Sequence, residues 1–80
     1  MTEPAKELVE YLARRLVDDS ESVRVDAKSD GDLLRLDLTV APGDVGKVIG
    51  KQGRIIRAIR TIIRSSGSRN GQRVRLEISE

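Results

Sequence analysis

Two glycines flank two polar residues near the middle of the chain, in the run Gly50-Lys51-Gln52-Gly53. Glycine has no Cβ atom and adopts positive φ angles readily, so a turn of this kind lets another backbone approach closely. Cationic side chains surround the turn at Lys47, Lys51 and Arg54. Free N–H groups at the start of the helix expected after the turn would favour a phosphate there. The segment therefore predicts a site for a sugar–phosphate backbone.

Other glycine-rich phosphate motifs do not fit this segment. A P-loop needs Ser or Thr after its Gly-Lys pair, whereas Gln52 follows Gly50-Lys51. A dinucleotide-binding fingerprint begins with glycines two residues apart, whereas Gly46 and Gly50 are four apart. A tight turn between two helices, with no ligand, remains the alternative interpretation of Gly50 and Gly53.

The charge of the chain is strongly divided between its two halves. The net charge is only +2, but residues 1–44 contain 6 basic and 11 acidic side chains, and residues 45–80 contain 9 basic and 2 acidic ones. An asymmetry of this kind indicates an anionic partner for the second half, and nucleic acid is the leading candidate.

Composition limits what else the protein can do. The 80 residues include no Cys, no His and a single aromatic, Tyr11. One domain over residues 1–80 is expected, without disulfides, thiolate or imidazole chemistry, bound metal or cofactor, so an enzyme acting on a small-molecule substrate is not expected. No apolar run is longer than three residues and the N-terminus is polar, so we expect neither a membrane segment nor a signal peptide, and a cytoplasmic location.

The first half reads as a helix followed by a hairpin. Apolar residues at spacings of three and four predict a helix over residues 4–18. Residues 22–40 alternate in polarity around Asp30-Gly31, which favours a two-residue turn of type I′. That turn would place Asp26 opposite Arg35 and Arg24 opposite Asp37, so that opposite charges pair across the strands.

The second half reads as two helices around the glycine loop, then a strand. Asp44 is expected to cap a short helix ending at Ile49, and the loop at 50–53 leads into a helix over residues 54–66 closed by Gly67. Five isoleucines lie on one face of this helix and are expected to be mainly core, whereas its arginines lie on the other. After a polar loop over residues 68–72, residues 73–79 alternate as a last strand.

These elements predict an α+β fold in the order α-β-β-α-α-β. The last strand follows a crossover that contains helices, which permits it to lie parallel to the second strand. We therefore expect a three-stranded mixed sheet with the helices packed on one face.

The run Val48-Ile49-Gly50-Lys51-Gln52-Gly53-Arg54 resembles the GxxG signature of KH domains, and the element order resembles the prokaryotic type II KH arrangement. The chain length and the stretch from Val40 to Ile63 resemble the KhpA family of small bacterial RNA-binding proteins. The resemblance covers nearly the whole chain and is most specific around residues 45–60.

The resemblance implies a protein that clamps about four nucleotides of single-stranded RNA at the GxxG loop. It also implies self-association as a homodimer, pairing with a KhpB-type KH protein, and a role in RNA chaperoning or post-transcriptional regulation tied to cell shape, elongation and division. The alternative is a KH-fold adaptor whose main role is dimerisation. The expected RNA-binding residues are Gly50, Lys51, Gln52, Gly53, Arg54, Lys47, Ile49 and Arg57. Contact by Arg60, Arg64, Arg73 and Arg75 is left open.

Overall fold

The computed structural model describes residues 4–69 and 71–79. Its helices and strands follow the predicted order: α1 (Pro4–Leu16), β1 (Arg24–Asp30), β2 (Leu33–Thr39), α2 (Val45–Ile49), α3 (Arg54–Arg69) and β3 (Arg73–Ser79). Short 3₁₀ turns precede β1, α2 and α3. No helix in the described part of the chain combines the length and apolar character needed to cross a bilayer.

Two helix ends differ from the sequence prediction. Helix α1 ends at Leu16 rather than at Asp18, because the N–H of Asp19 donates to the carboxylate of Asp44 instead of to a carbonyl four residues earlier in the chain. Helix α3 continues through Gly67 to Arg69. A glycine inside a helix costs about 1 kcal/mol relative to alanine, which does not by itself end the helix. The predicted loop over residues 68–72 is shorter as a result, and its Asn70 lies outside the described residues.

The three strands form one mixed sheet in the order β1-β2-β3. Strand β2 pairs antiparallel with β1 and parallel with β3, so the crossover through α2 and α3 joins parallel neighbours as predicted. One face of the sheet packs against the helices and forms the core, which is entirely aliphatic. Its fully buried larger side chains are Leu34, Leu36, Leu38, Ile63, Val9 and Val48.

The hairpin register differs from the predicted one by two residues. The structure pairs Asp30 with Leu33 and Asp26 with Asp37, so the turn is centred on Gly31 and Asp32. The predicted pairs of Asp26 with Arg35 and of Arg24 with Asp37 are therefore wrong. Only Gly31 has a positive φ at this turn, +62°, which fits glycine at the first central position of a type II′ turn and not the predicted type I′.

A shift of two residues leaves every side chain on its own face, so the apolar alternation is satisfied by both registers. What changes is the charge pattern on the solvent face. Like charges now lie directly opposite each other: Asp26 faces Asp37 and Lys28 faces Arg35. The oppositely charged residues that were predicted to face each other are diagonal neighbours in the observed register.

The register can be tested through Asp37. In the observed register this residue lies between Asp26 and Glu77, and like charges directly opposite each other destabilise a sheet. We expect Asp37→Lys to raise the free energy of unfolding by about 0.5 kcal/mol, and Asp37→Asn to raise it by less. Urea unfolding measures both. A loss of stability in Asp37→Lys would support the register in which Asp37 faces Arg24.

Candidate nucleic-acid interface

Gly50 forms the corner between α2 and the glycine loop. Its N–H donates to the Gly46 carbonyl at 2.9 Å, which closes α2, and its φ of 78° and ψ of 173° lie in a region that is essentially restricted to glycine. A Cβ atom at this position would lie 2.6 Å from Cγ1 of Ile55. The corner therefore requires glycine for two reasons, the backbone angles and the close approach of α3.

The loop tip consists of Lys51 and Gln52. Both side chains are exposed, and Gln52 adopts left-handed backbone angles, φ 58° and ψ 25°. The loop is closed by the N–H of Gly53, which donates to the Gly50 carbonyl at 3.1 Å. Lys51 and Gln52 are the first two residues of the 3₁₀ turn that leads into α3, and the first N–H groups of a helical turn have no partner within that turn. Two such N–H groups and a lysine are thus presented together at the loop tip.

Two arginines of the first turns of α3 face the loop. Arg57 donates from Nη2 to the Gln52 carbonyl at 2.7 Å and from Nε to the Gly53 carbonyl at 3.3 Å. Arg54 approaches the Gln52 side chain, with 3.4 Å between Nη2 and Oε1. Because Arg57 binds the backbone of the left-handed residue itself, it holds the loop in shape while keeping its charge at the exposed surface.

Lys47 lies behind the loop, on α2, and its ammonium group already contacts two carboxylates. Its Nζ lies 2.8 Å from Oδ2 of Asp18 and 3.0 Å from Oδ1 of Asp44. The predicted contact residues Lys51, Gln52, Arg54 and Arg57 are brought together around the loop. Lys47 differs from these residues because its ammonium group forms ion pairs with Asp18 and Asp44.

The sequence predicted that Asp44 caps α2, and this prediction is wrong. Its side chain makes no capping hydrogen bond; it turns back and accepts the N–H of Asp19 at 3.0 Å and the ammonium of Lys47. These two donors hold the pKa of the buried Asp44 carboxyl below its usual value of 3.8. The carboxylates of Asp18 and Asp44 in turn raise the pKa of Lys47 above 10.5. This contact ties the end of α1 to the start of α2.

The isoleucines of α3 divide between core and surface. Ile56, Ile59 and Ile63 are buried, as expected for the apolar face of this helix, and Ile55 is partly buried against Gly50. Ile62 is 46% exposed and is one of only two large apolar residues exposed in the described part of the chain. Ile49, at the end of α2, is half-buried beside the loop and contributes apolar surface there.

An open groove of about 520 Å³ runs between α3 and the free edge of β3. Arg60 and Arg64 line one side and Arg75 the other. Arg60 donates from Nε and Nη2 to the Leu76 carbonyl, at 3.3 and 3.2 Å, and so covers part of this unpaired strand edge. The sequence showed these residues only as a stripe of arginines; nothing in it indicated the bond to β3, 16 residues away.

The chain matches a family model described as KhpA/KhpB, KH domain, over residues 6–78. It is 47% identical over 73 residues to the RNA-binding protein KhpA of Halalkalibacterium halodurans, covering 91% of this chain and 96% of that protein. It is 48% identical over 75 residues to the RNA-binding protein KhpA of Aquifex aeolicus, covering 94% and 95%. Both relatives are named as RNA-binding proteins and not as enzymes.

Among solved structures, the chain resembles part of Era from Aquifex aeolicus, in a crystal structure of a point variant of Era bound to GDP and AlF4⁻. The TM-score is 0.64 at 22% sequence identity, and the alignment covers 92% of this chain but 29% of that one. At this level of identity the likeness concerns the fold of one portion of Era.

The two loop glycines are expected to differ in their tolerance of alanine. Gly50→Ala adds strain and a close contact with Ile55, and we expect it to lower the free energy of unfolding by about 3 kcal/mol. Gly53→Ala is the matched control: its φ is also positive, but its Cβ would lie 3.9 Å from Ile56, so about 1 kcal/mol is expected. Equal losses in chemical denaturation would contradict the close contact at Gly50.

The contacts of Asp44 predict how stability changes with pH. Because its folded-state pKa is depressed, its stabilisation is complete above about pH 5 and is lost as the pH falls through 3.8 towards the folded-state value. Asp44→Asn should therefore be less stable than wild type at pH 7, and the difference should shrink in acid. Thermal melts at several pH values measure it, with Asp30→Asn on the exposed hairpin as control. A difference that is the same at pH 7 and in acid would refute the assignment.

Proposed function

The chain belongs to the KhpA/KhpB family of KH domains, and on that premise we propose that it binds single-stranded RNA by its sugar–phosphate backbone at the loop Gly50–Gly53. The named RNA-binding relatives support the ligand class, because they align over nearly all of this chain. The placement of the ligand at the loop rests on the local geometry.

The observation that carries the placement is the position of the Lys51 and Gln52 N–H groups at the start of the 3₁₀ turn that forms the loop tip. The first N–H groups of a helical turn have no carbonyl partner within it, and phosphate oxygens are strong acceptors for such donors. The donors of Lys51 and Gln52 lie immediately before the N-terminus of α3, where the helix dipole also favours negative charge. Because Gly50 and Gly53 carry no side chains, a nucleotide backbone can approach this surface.

The side chains around the loop have distinct roles in this proposal. Lys51 and Arg54 supply positive charge towards phosphates, and Gln52 supplies an amide for hydrogen bonding. Ile49 offers half-buried apolar surface against which a base can lie. Arg57 combines its hold on the loop backbone with a charge at the surface. Lys47 acts mainly through its ion pairs with Asp18 and Asp44, which hold α2 in place behind the loop.

Backbone contact has consequences for selectivity. Phosphates are the same in every sequence, so a single loop of this kind gives affinity and orientation with little sequence readout. The excess of cations in residues 45–80 should make binding fall steeply with salt, as counterion release requires. With a single aromatic residue in the chain, stacking on an aromatic platform contributes little.

We further propose that the protein acts in the cytoplasm with a KhpB-type KH protein, as an RNA chaperone or post-transcriptional regulator linked to cell shape, elongation and division. The support for this part is the family resemblance, since one family model covers the KH domains of KhpA and KhpB alike. Binding of this chain to a KhpB-type protein can be measured by co-purification of the two expressed together.

The loop assignment predicts the effect of reversing its charge. Changing Lys51→Asp and Gln52→Asp together should lower the affinity for a short single-stranded RNA at least about tenfold and reduce the salt dependence of binding. Because both side chains are exposed, the melting temperature should stay near that of wild type. Fluorescence anisotropy at several salt concentrations measures the affinity.

The matched control is Lys28→Asp with Ser29→Asp, which makes the same change in net charge at exposed positions of β1. This control should retain most of the affinity. If both double variants lose affinity equally, net charge alone accounts for binding and the loop has no special role. Undiminished affinity in the loop variant would remove the loop from the site.

A second candidate function is dimerisation through α3, favoured by the 46% exposure of Ile62. An exposed isoleucine on a helix of a small domain offers apolar surface to a second copy or to a partner KH protein. Ile62→Ser should then lower the apparent mass in light scattering without loss of the fold, whereas Thr61→Ser, beside it on the exposed surface, should not. A wild-type mass that does not change with the substitution would exclude this contact.

A further inference from the structure

The solvent face of the sheet carries two rows of like charge, one positive and one negative. The observed registers place Lys28 opposite Arg35 and Arg35 opposite Arg75, which gives a row of three cations across all three strands. Two residues further along the strands lies the second row. It consists of Asp26, Asp37 and Glu77.

These six side chains do not neutralise one another within the molecule. None of them forms a salt bridge within 4.0 Å among residues 4–69 and 71–79, and five are exposed, with Asp37 half-buried. Like charges directly opposite each other on neighbouring strands are unfavourable for the sheet. The rows therefore do not stabilise the isolated domain through cross-strand pairing, and they leave six charges available to a partner.

The pattern also restricts the chemistry of that partner. The six charges sum to zero, so a uniformly anionic ligand such as RNA would meet repulsion from the acidic row beside attraction from the basic one. A fitting surface must itself present a positive row beside a negative row. We propose that this surface is the same sheet face of a second copy of the chain.

The pattern is self-complementary under one symmetry operation. A two-fold axis that runs parallel to the rows and midway between them turns one sheet over onto the other. It places each strand over its own copy, running in the opposite direction. Lys28 then faces Asp26 of the second copy, Arg35 faces its Asp37, and Arg75 faces its Glu77. The same three pairs recur in reverse, as an isologous contact requires.

The size of the face indicates a weak contact. Strands of seven residues at about 3.3 Å per residue, three of them about 4.8 Å apart, span about 23 Å by about 14 Å. This is smaller than the surface that stable dimers bury, and exposed ion pairs contribute little each. The association is therefore transient and sensitive to salt. It uses the face opposite the helices and does not depend on RNA binding or on Ile62.

A charge-swap experiment tests the contact. One variant carries Lys28→Glu and Arg35→Glu, and the other carries Asp26→Lys and Asp37→Lys. Every sample, including the reference without charge swaps, also carries Ile62→Ser, so that an α3 contact does not contribute. Each swap variant alone then places like charges against each other at two of the three pairs and is expected to remain monomeric. An equimolar mixture restores opposite charges at every pair and should associate. Sedimentation velocity of each sample, at about 20 mM and about 500 mM salt, measures the association.

The Ile62→Ser reference should associate at low salt, with an association constant at least about tenfold lower at high salt. The charge-conserving control, Lys28→Arg with Asp26→Glu, should behave as this reference. Three results would each overturn the proposal: a reference that is monomeric at low salt, a swap variant that associates alone as the reference does, or a mixture that fails to associate. An α3 contact through Ile62 is distinguished because every sample compared carries Ile62→Ser.

Discussion

The close approach of α3 to the backbone of Gly50 is the constraint on which the loop geometry depends. The Ile55 side chain occupies the space that a Cβ of residue 50 would need, while the extended ψ at positive φ turns the chain away from α2. This turn places the next two N–H groups at the start of the 3₁₀ turn Lys51–Gly53, where they have no partner within that turn. The packing of Ile55 against the backbone and the position of these donors therefore meet at one corner of the chain.

Contacts on both sides of the loop keep it in place. On the α3 side, Arg57 donates to two loop carbonyls, those of Gln52 and Gly53. On the α2 side, Asp44 and Lys47 join the start of the helix to the end of α1. Preorganisation of this kind lowers the entropy that a ligand must remove when it binds. In the proposed complex, the loop would hold a flexible single strand without rearranging.

The sequence was sufficient to predict the fold class, the element order and the parallel crossover, because periodicity and glycine placement report on local structure. It was insufficient where two arrangements satisfy the same local pattern. The predicted hairpin register is wrong for this reason. A shift of two residues keeps each side chain on its face, and only the position of Gly31 in the turn distinguishes the two registers. The predicted role of Asp44 is wrong because its partner Asp19 lies 25 residues away in the sequence. The bond between Arg60 and β3 also joins residues that are distant in sequence, 16 positions apart.

NMR can show whether the backbone donors at the loop tip hold the phosphates of a single strand, as we propose. A ¹⁵N-labelled sample titrated with a short single-stranded oligoribonucleotide reports on each amide separately. We expect the largest chemical-shift changes at the amides of Lys51 and Gln52, with smaller changes along the start of α3. Loop amides that do not shift, while those of the hairpin or of the solvent face of the sheet do, would contradict it.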